Sequence, residues 1–173
     1  MSTLRANAWQ STNGIPYNKL IQHQSYSLPG LIATITNPNT NYSSTSLAIT
    51  VTSKKENSKF FVMADCQGYV TTQATNGWNI ALVRNIKGVD TYVAGVTGGS
   101  GDTWMGMYHG SGLATNSWSK CRTAVDTPNV AKGTSITYTV YIGGWSTTGG
   151  TFYLGYDGYG DFGNKITVFE FAG

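Results

Sequence analysis

Hydrophobic and polar residues alternate with a period of two along most of this chain. In SITYTVYI (135–142) the even-numbered positions are apolar, while most odd-numbered positions carry hydroxyl groups. Residues 47–52 repeat the pattern, which is typical of a strand with one buried face. No ten-residue window has a convincing 3.6-residue period. About eight to ten short strands separated by turn residues therefore predict an all-β sandwich, jelly roll or barrel.

Two segments are apolar on both faces. In residues 60–67, Phe61 and Met63 lie opposite the face that carries Phe60 and Val62. In residues 165–171, both alternating sets again contain large apolar side chains. These patterns predict strands that are covered on both sides, by the second sheet and by something outside the sandwich.

Composition limits the classes of protein that fit. The 173 residues suit one domain with a short appendage, and only 11% of them are charged. The formal charge is +3 and the basic residues are scattered, so no nucleic-acid footprint is expected. The opening MSTLRANAWQSTNG has no long apolar core, and no window approaches a membrane span. We expect a soluble product made in the cytoplasm, without membrane insertion.

Residues 1–18 are polar and lack clean periodicity, with Trp9 and Tyr17 as their aromatic residues. Such a segment cannot bury enough surface to fold alone. It is either a disordered leader or an attachment arm in which Trp9 anchors a partner. The predicted organisation is an arm over 1–18 and a β-domain over 19–173.

Candidate catalytic and metal-binding groups are sparse. The glycine-rich stretch 95–101 lacks the ending and the following helix of a phosphate loop. His23 and His109 are too isolated to form a metal centre, and no serine has a nucleophile-elbow context. We expect no enzyme activity, cofactor or metal. Cys66 and Cys121 are read as buried reduced thiols, with a disulfide between facing strands as the alternative.

One loop combines aromatic rings with carboxylates, from residue 145 to residue 162. Flat aromatic faces beside carboxylates and amides suit sugar recognition, although the same rings could pack within the fold and the aspartates could be solvated turn residues. The candidate contacts with a glycan or a host are Trp145, Tyr156, Asp157, Tyr159 and Asp161.

Four short motifs carry a family resemblance: SKFFV from Ser58, the L-x-R strand at 82–84, SITYTVY at 135–141 and ITVFE at 166–170. With them, residues 20–173 resemble the C-terminal jelly-roll domains of virion structural proteins of tailed phages, especially cyanophages. Those domains look like the trimerisation fold of tumour necrosis factor and C1q. The resemblance implies an antiparallel jelly roll in a tail fibre, a spike or a capsid decoration protein.

The resemblance and the two-faced strands together predict a homotrimer, because a closed ring of three copies would cover the second apolar face. The candidate interface residues are Phe61, Met63, Tyr138, Tyr141, Phe169 and Phe171. The expected partners are two further copies, other virion proteins bound through the arm, and a host-surface glycan. The expected location is the virion. The alternative function is a free-standing carbohydrate-binding module or lectin.

Overall fold

The computed structural model describes residues 20–36, 42–71, 76–95, 104–109, 115–144, 151–155 and 163–173. Within these ranges the chain contains strands and no helix, which confirms the all-β prediction. The strands are β1 Leu20–Leu28, β2 Ala33–Thr36, β3 Ser43–Thr52, β4 Lys59–Thr71, β5 Asn76–Ile86, β6 Val89–Ala94, β7 Met105–His109, β8 Thr115–Asp126, β9 Ser135–Gly144, β10 Thr151–Leu154 and β11 Asn164–Phe171.

The strands form two antiparallel sheets. The first sheet has the order β1-β11-β4-β10-β2, with β8 also paired to β4. The second has the order β3-β9-β5-β6, with β7 also paired to β5. Along one edge, β4 pairs with β8 from Phe60 to Thr71. Its other edge is shared, because β11 pairs with residues 59–65 and β10 with residues 68–71.

The sheets pack face to face as a sandwich, consistent with the predicted jelly roll. The inward positions of β3, β4 and β9 are buried and alternate with more exposed positions. Near one end of the core, the Phe152 ring stacks at 5.0 Å from Trp78 and at 5.4 Å from Trp118. Aromatic and branched side chains thus exclude water between the sheets, and this burial is the main stabilising term.

The β5–β6 connection is a two-residue hairpin turn. Lys87 and Gly88 both have positive φ, 53° and 83°, as a type I′ turn requires. The Asn85 side-chain oxygen accepts a hydrogen bond from the Gly88 amide at 3.1 Å. From the sequence alone, the asparagine and glycine within residues 85–90 predict a hairpin loop; the hairpin is present, with a turn shorter than that range.

The two cysteines do not form a disulfide. Cys66 is buried, and burial raises the pKa of its thiol. Cys121 is exposed and lies directly opposite Asp65 in the β4–β8 ladder. Because neighbouring residues of a strand point to opposite sides of a sheet, the two thiols lie on different faces. The reduced-thiol prediction is confirmed, except that only Cys66 is buried, and the disulfide alternative is wrong.

Among the described residues there is no helix long and apolar enough to cross a bilayer. The predicted arm over 1–18, with Trp9 and Tyr17, lies outside the described residues and stays a prediction. The first described strand begins at Leu20, and the boundary between arm and β-domain at residues 18 and 19 stays a prediction.

Candidate functional site

All five candidate glycan contacts in the 145–162 loop lie outside the described residues: Trp145, Tyr156, Asp157, Tyr159 and Asp161. The prediction of one continuous loop over 145–162 is wrong, because β10, Thr151–Leu154, lies within it. The described residues 151–155 separate Trp145 from the other four candidates. The sugar-binding prediction for this loop therefore stays a prediction.

The six candidate interface residues do not share one surface. Phe61, Met63, Phe169 and Phe171 occupy the outward face of the first sheet and are half-buried. Tyr141 lies on the outward face of the second sheet.

The prediction that Tyr138 belongs to the trimer interface is wrong. Its side chain is fully buried between the sheets, 6.1 Å from the Phe60 ring. Alternation along β9 separates Tyr138 from Tyr141, but a sequence pattern does not indicate which of the two points inward.

The outward side of the first sheet carries a row of apolar and aromatic side chains. Strand pairing places Val125, Phe61, Phe169 and His23 beside one another on β8, β4, β11 and β1. Ring centroids are 6.0 Å apart in both the Phe61–Phe169 and His23–Phe169 pairs. Val125 at the end of the row is 65% exposed. We call the set Phe61, Met63, Val125, Phe169 and Phe171 the apolar face.

A buried polar cluster joins the two sheets. The carboxylate of Asp126, at the end of β8, accepts a hydrogen bond from the Tyr138 hydroxyl at 2.8 Å and pairs with Arg84 at 2.6 Å. Burial, and then the charge of Asp126, raise the pKa of Tyr138. The tyrosine therefore stays a donor at neutral pH. Because the buried Asp126 carboxylate needs both partners, it holds the end of β8 in one position against Arg84 on β5 and Tyr138 on β9.

A second buried carboxylate, Glu170 on β11, anchors the β3–β4 turn. The Glu170 residue is fully buried. Its Oε1 accepts hydrogen bonds from the Ser58 hydroxyl at 2.6 Å and from the amides of Lys54 and Lys55 at 2.9 and 3.2 Å. Its Oε2 accepts one from Gln22 at 2.5 Å. Burial raises the pKa of Glu170, but these hydrogen bonds outweigh burial and hold it below its usual value.

The outward face of the second sheet is rich in tyrosine and in hydrogen-bonding groups. The Tyr92 ring contacts the rings of Tyr42 and Tyr141 edge-on, at 6.0 and 6.4 Å. The Tyr141 hydroxyl donates to Asp90 at 2.9 Å, and the Asn85 amide donates to the other oxygen of Asp90 at 2.6 Å. A hydrogen-bonded chain thus runs from the tyrosine rings to the β5–β6 turn.

Beside that turn lies an open groove of about 550 Å³. One wall is the β5–β6 turn with Lys87, and the other is the turn before β9 with Lys132. Its remaining lining residues are Asn85, Gly88, Gly133, Thr134, Ser135 and Thr137. The groove therefore contains two ammonium groups, hydroxyls and an amide, and no apolar side chain. We call it the lysine groove.

No group of three or more His, Cys, Asp or Glu side chains suited to a metal ion occurs among the described residues. The prediction that no metal is bound remains untested by this observation.

Comparisons with known proteins leave the family open. No protein-family model matches the chain, and no curated protein matches it. Two solved structures are similar at 9% identity and a TM-score of 0.23: infectious bursal disease virus Gx strain and the VP2 subviral particle of infectious bursal disease virus. They cover 97% and 98% of this chain, which spans only 46% of each of theirs. Scores this low carry no argument, so the fold assignment rests on the strands and their pairing.

Sequence reasoning missed three features of the described chain: the two buried carboxylates and the lysine groove. Glu170, and Arg84 as the partner of the other carboxylate, lie in the predicted strand motifs, but the sequence pattern assigned neither of them a role. A charged residue at an inward position of an alternating strand was the available signal, because buried charges need partners. For the groove, the repeated Lys-Gly turn at 87–88 and 132–133 was the signal.

Proposed function

We propose that this chain is a non-enzymatic structural protein of a tailed-phage virion. It forms a homotrimer through the apolar face, attaches to the particle through residues 1–18, and displays its β-domain for decoration or host adhesion. The apolar face is the observation that carries the proposal. Its large apolar side chains project outward from strands whose other face already packs in the core. Further copies of the same chain would cover these side chains and remove them from water.

The position of the apolar face suits a threefold arrangement. Phe61 and Phe169 occupy neighbouring central strands of the first sheet, and Val125 continues the row onto β8. Three copies meeting through this face would close a ring without leaving an open apolar surface. A stable interface buries about 800 Å² per partner, so the contact must extend beyond these five side chains onto neighbouring strands.

Two exposed valines provide a matched test of the trimer. Val125 on the apolar face and Val89 in the β5–β6 hairpin are 65% and 66% exposed. We expect Val125→Asp to disrupt the trimer, because three carboxylates would be brought into a desolvated contact, at a cost of several kcal/mol. Val89→Asp should have no effect on assembly.

The measurement is molar mass by light scattering after gel filtration at micromolar concentration. The wild type and Val89→Asp should run at three times the chain mass of 18.6 kDa, and Val125→Asp should run at the mass of one chain. A wild type of single-chain mass would refute the trimer. So would a Val125→Asp protein that stays trimeric, because the apolar face would then not be the interface.

The virion part of the proposal is tested separately. Immunogold labelling of intact particles should locate the protein on their surface. Deletion of residues 1–18 should abolish incorporation and leave the oligomeric mass unchanged. Particles that retain the truncated protein would exclude the arm as the attachment segment.

A carbohydrate-binding module or lectin that acts free of any particle is the second candidate. The lysine groove favours it, since a polar groove on an exposed sheet is a feature that a purely structural role does not need. Absence of the protein from purified particles, combined with selective glycan binding, would favour this candidate over the first.

A further inference from the structure

We propose that the lysine groove binds an acidic sugar, that is, a saccharide whose ring carries a carboxylate or sulfate group. This inference rests on the adhesion part of the proposed function. It places the binding site on the second sheet, at the opposite side of the sandwich from the apolar face, so that a trimer formed through the apolar face leaves the groove open.

The lining of the groove defines the chemistry of the ligand. Arg84 pairs with Asp126, whereas neither Lys87 nor Lys132 forms an ion pair with another described residue. Both lysines are exposed, and both belong to the residues that line the groove. Two lysines without an ion-pair partner among the described residues favour an anion, and they outnumber the one carboxylate that contacts a lining residue, Asp90 against Asn85 at 2.6 Å.

The other lining groups favour a ligand with many hydroxyl groups. Ser135 supplies a hydroxyl that can donate and accept, and Asn85 supplies an amide. The hydroxyls of Thr134 and Thr137 already bond to Ala131 and Thr50, but each retains a lone pair that can accept from a ligand. The volume of about 550 Å³ falls in the range of small-molecule sites, roughly 300–1,000 Å³, and greatly exceeds that of an inorganic anion. An acidic sugar combines the charge, the hydroxyls and the size.

The walls of the groove are held in place before any ligand binds. In the turn before β9, Gly133 donates its amide to the Ser53 carbonyl at 2.8 Å, and Ser53 donates to the Thr134 carbonyl at 2.9 Å. On the other wall, Asn85 is fixed by hydrogen bonds to both Gly88 and Asp90. A preformed site loses less conformational entropy on binding.

The arrangement does not suit nucleic acid. A basic stripe that tracks a phosphate backbone requires several cations in succession, whereas the groove holds two lysines on separate turns. The tyrosine rings that begin at Tyr141 lie next along the same outer face, linked to the groove through Asp90 and Asn85. They offer flat surfaces to further sugar units beyond the groove.

The test is calorimetric titration of the full chain with four probes: a hexuronic acid tetrasaccharide, a sulfated tetrasaccharide, a neutral hexose tetrasaccharide and sodium sulfate. We expect at least one acidic tetrasaccharide to bind at least tenfold more tightly than the neutral one and than sulfate. Raising the salt from 50 to 500 mM should weaken that binding, because salt screens exposed charges.

The variant for this test is Lys87→Ala/Lys132→Ala, which should reduce affinity for the preferred acidic tetrasaccharide at least tenfold. Arg122→Ala is the matched control, since it removes an exposed cation from the first sheet and should leave affinity unchanged. Thermal melting and light scattering should show that both variants fold and assemble like the wild type.

Four results would overturn the inference: no binding of either acidic probe, equal binding of the neutral tetrasaccharide, sulfate binding as tight as that of the acidic sugars, or full affinity in the double lysine variant. None of these results would alter particle labelling or oligomeric mass, so failure of the sugar site remains distinguishable from failure of the virion proposal.

Discussion

The sharpest prediction concerns Glu170→Gln, which keeps the size of the side chain and removes its charge. In the wild type, the buried Glu170 carboxylate accepts four hydrogen bonds between 2.5 and 3.2 Å. The glutamine oxygen can still accept from Ser58 and the turn amides, but without the charge. Its NH₂ group would face the donor nitrogen of Gln22, so one contact becomes repulsive until Gln22 turns.

The expected loss follows from these contacts. Hydrogen bonds to charged groups contribute about 1.5–3 kcal/mol and neutral ones about 0.5–1.5 kcal/mol. Removing charge assistance from three bonds and disrupting the fourth gives a loss of about 2–4 kcal/mol, with part of it recovered by local relaxation. For a domain of this size, about 1 kcal/mol shifts the melting temperature by roughly 2–4 °C. We expect Glu170→Gln to melt roughly 4–16 °C below the wild type at pH 7.

Glu56→Gln is the control, because Glu56 belongs to the same turn but is exposed. Its effect should stay within about 0.5 kcal/mol. All melts should be compared at one protein concentration, since the stability of an oligomer depends on it. Equal melting of the Glu170 and Glu56 variants would refute the assignment of Glu170 as the anchor of the turn.

The same carboxylate makes stability depend on pH. The folded-state pKa of Glu170 is lowered, so its contribution is present above the unfolded-state pKa and is lost as pH falls through the folded-state value. The difference in melting temperature between wild type and Glu170→Gln should therefore shrink on acidification from pH 6 to pH 3. A difference that stays constant over this range would show that charge is not its cause.

The remaining predictions concern stability at two other positions. Tyr138→Phe removes the hydroxyl that donates to buried Asp126, and it should lower the free energy of unfolding in urea by about 1–3 kcal/mol. Tyr141→Phe, whose hydrogen bond is exposed, should lower it by less than half as much. Equal losses would contradict an inter-sheet role for Tyr138. Gly68→Ala places a methyl group against the carbonyl oxygen of Tyr153. The overpacking should lower the free energy of unfolding by more than about 2 kcal/mol, and an unchanged value would contradict tight packing of β10 on β4 at this position.

Local alternation predicted most of the fold, because each strand carries its own pattern. The stretch 135–142 was recognised as a strand for this reason, and β9 begins and continues there. Excess apolar side chains on the outward positions of β4 and β11 also indicated a second surface to be covered. These signals lie within single strands, so they can be read without knowledge of strand pairing.

Features that depend on pairing could not be predicted in this way. The hydrogen bonds of Glu170 come from residues 112 to 148 positions away in the chain, and the walls of the lysine groove come from two different turns. Tyr138 illustrates the same limit. Its alternation with Tyr141 was clear, but only the position of β9 against β5 and of Asp126 beneath it determines which tyrosine is buried.

One edge of β4 is shared by β10 and β11, and the connection between these two strands is fixed at both ends. The backbone amide of Gln67 donates a hydrogen bond to the Asn164 side-chain oxygen at 2.7 Å, and its carbonyl accepts one from the Gly155 amide at 2.8 Å. One residue thus secures both ends of the connection 156–162, where β10 stops and β11 starts. Insertions, deletions or a grafted peptide between those ends would leave the register of both strands intact. We therefore expect this connection to tolerate changes of length and sequence without loss of the sandwich.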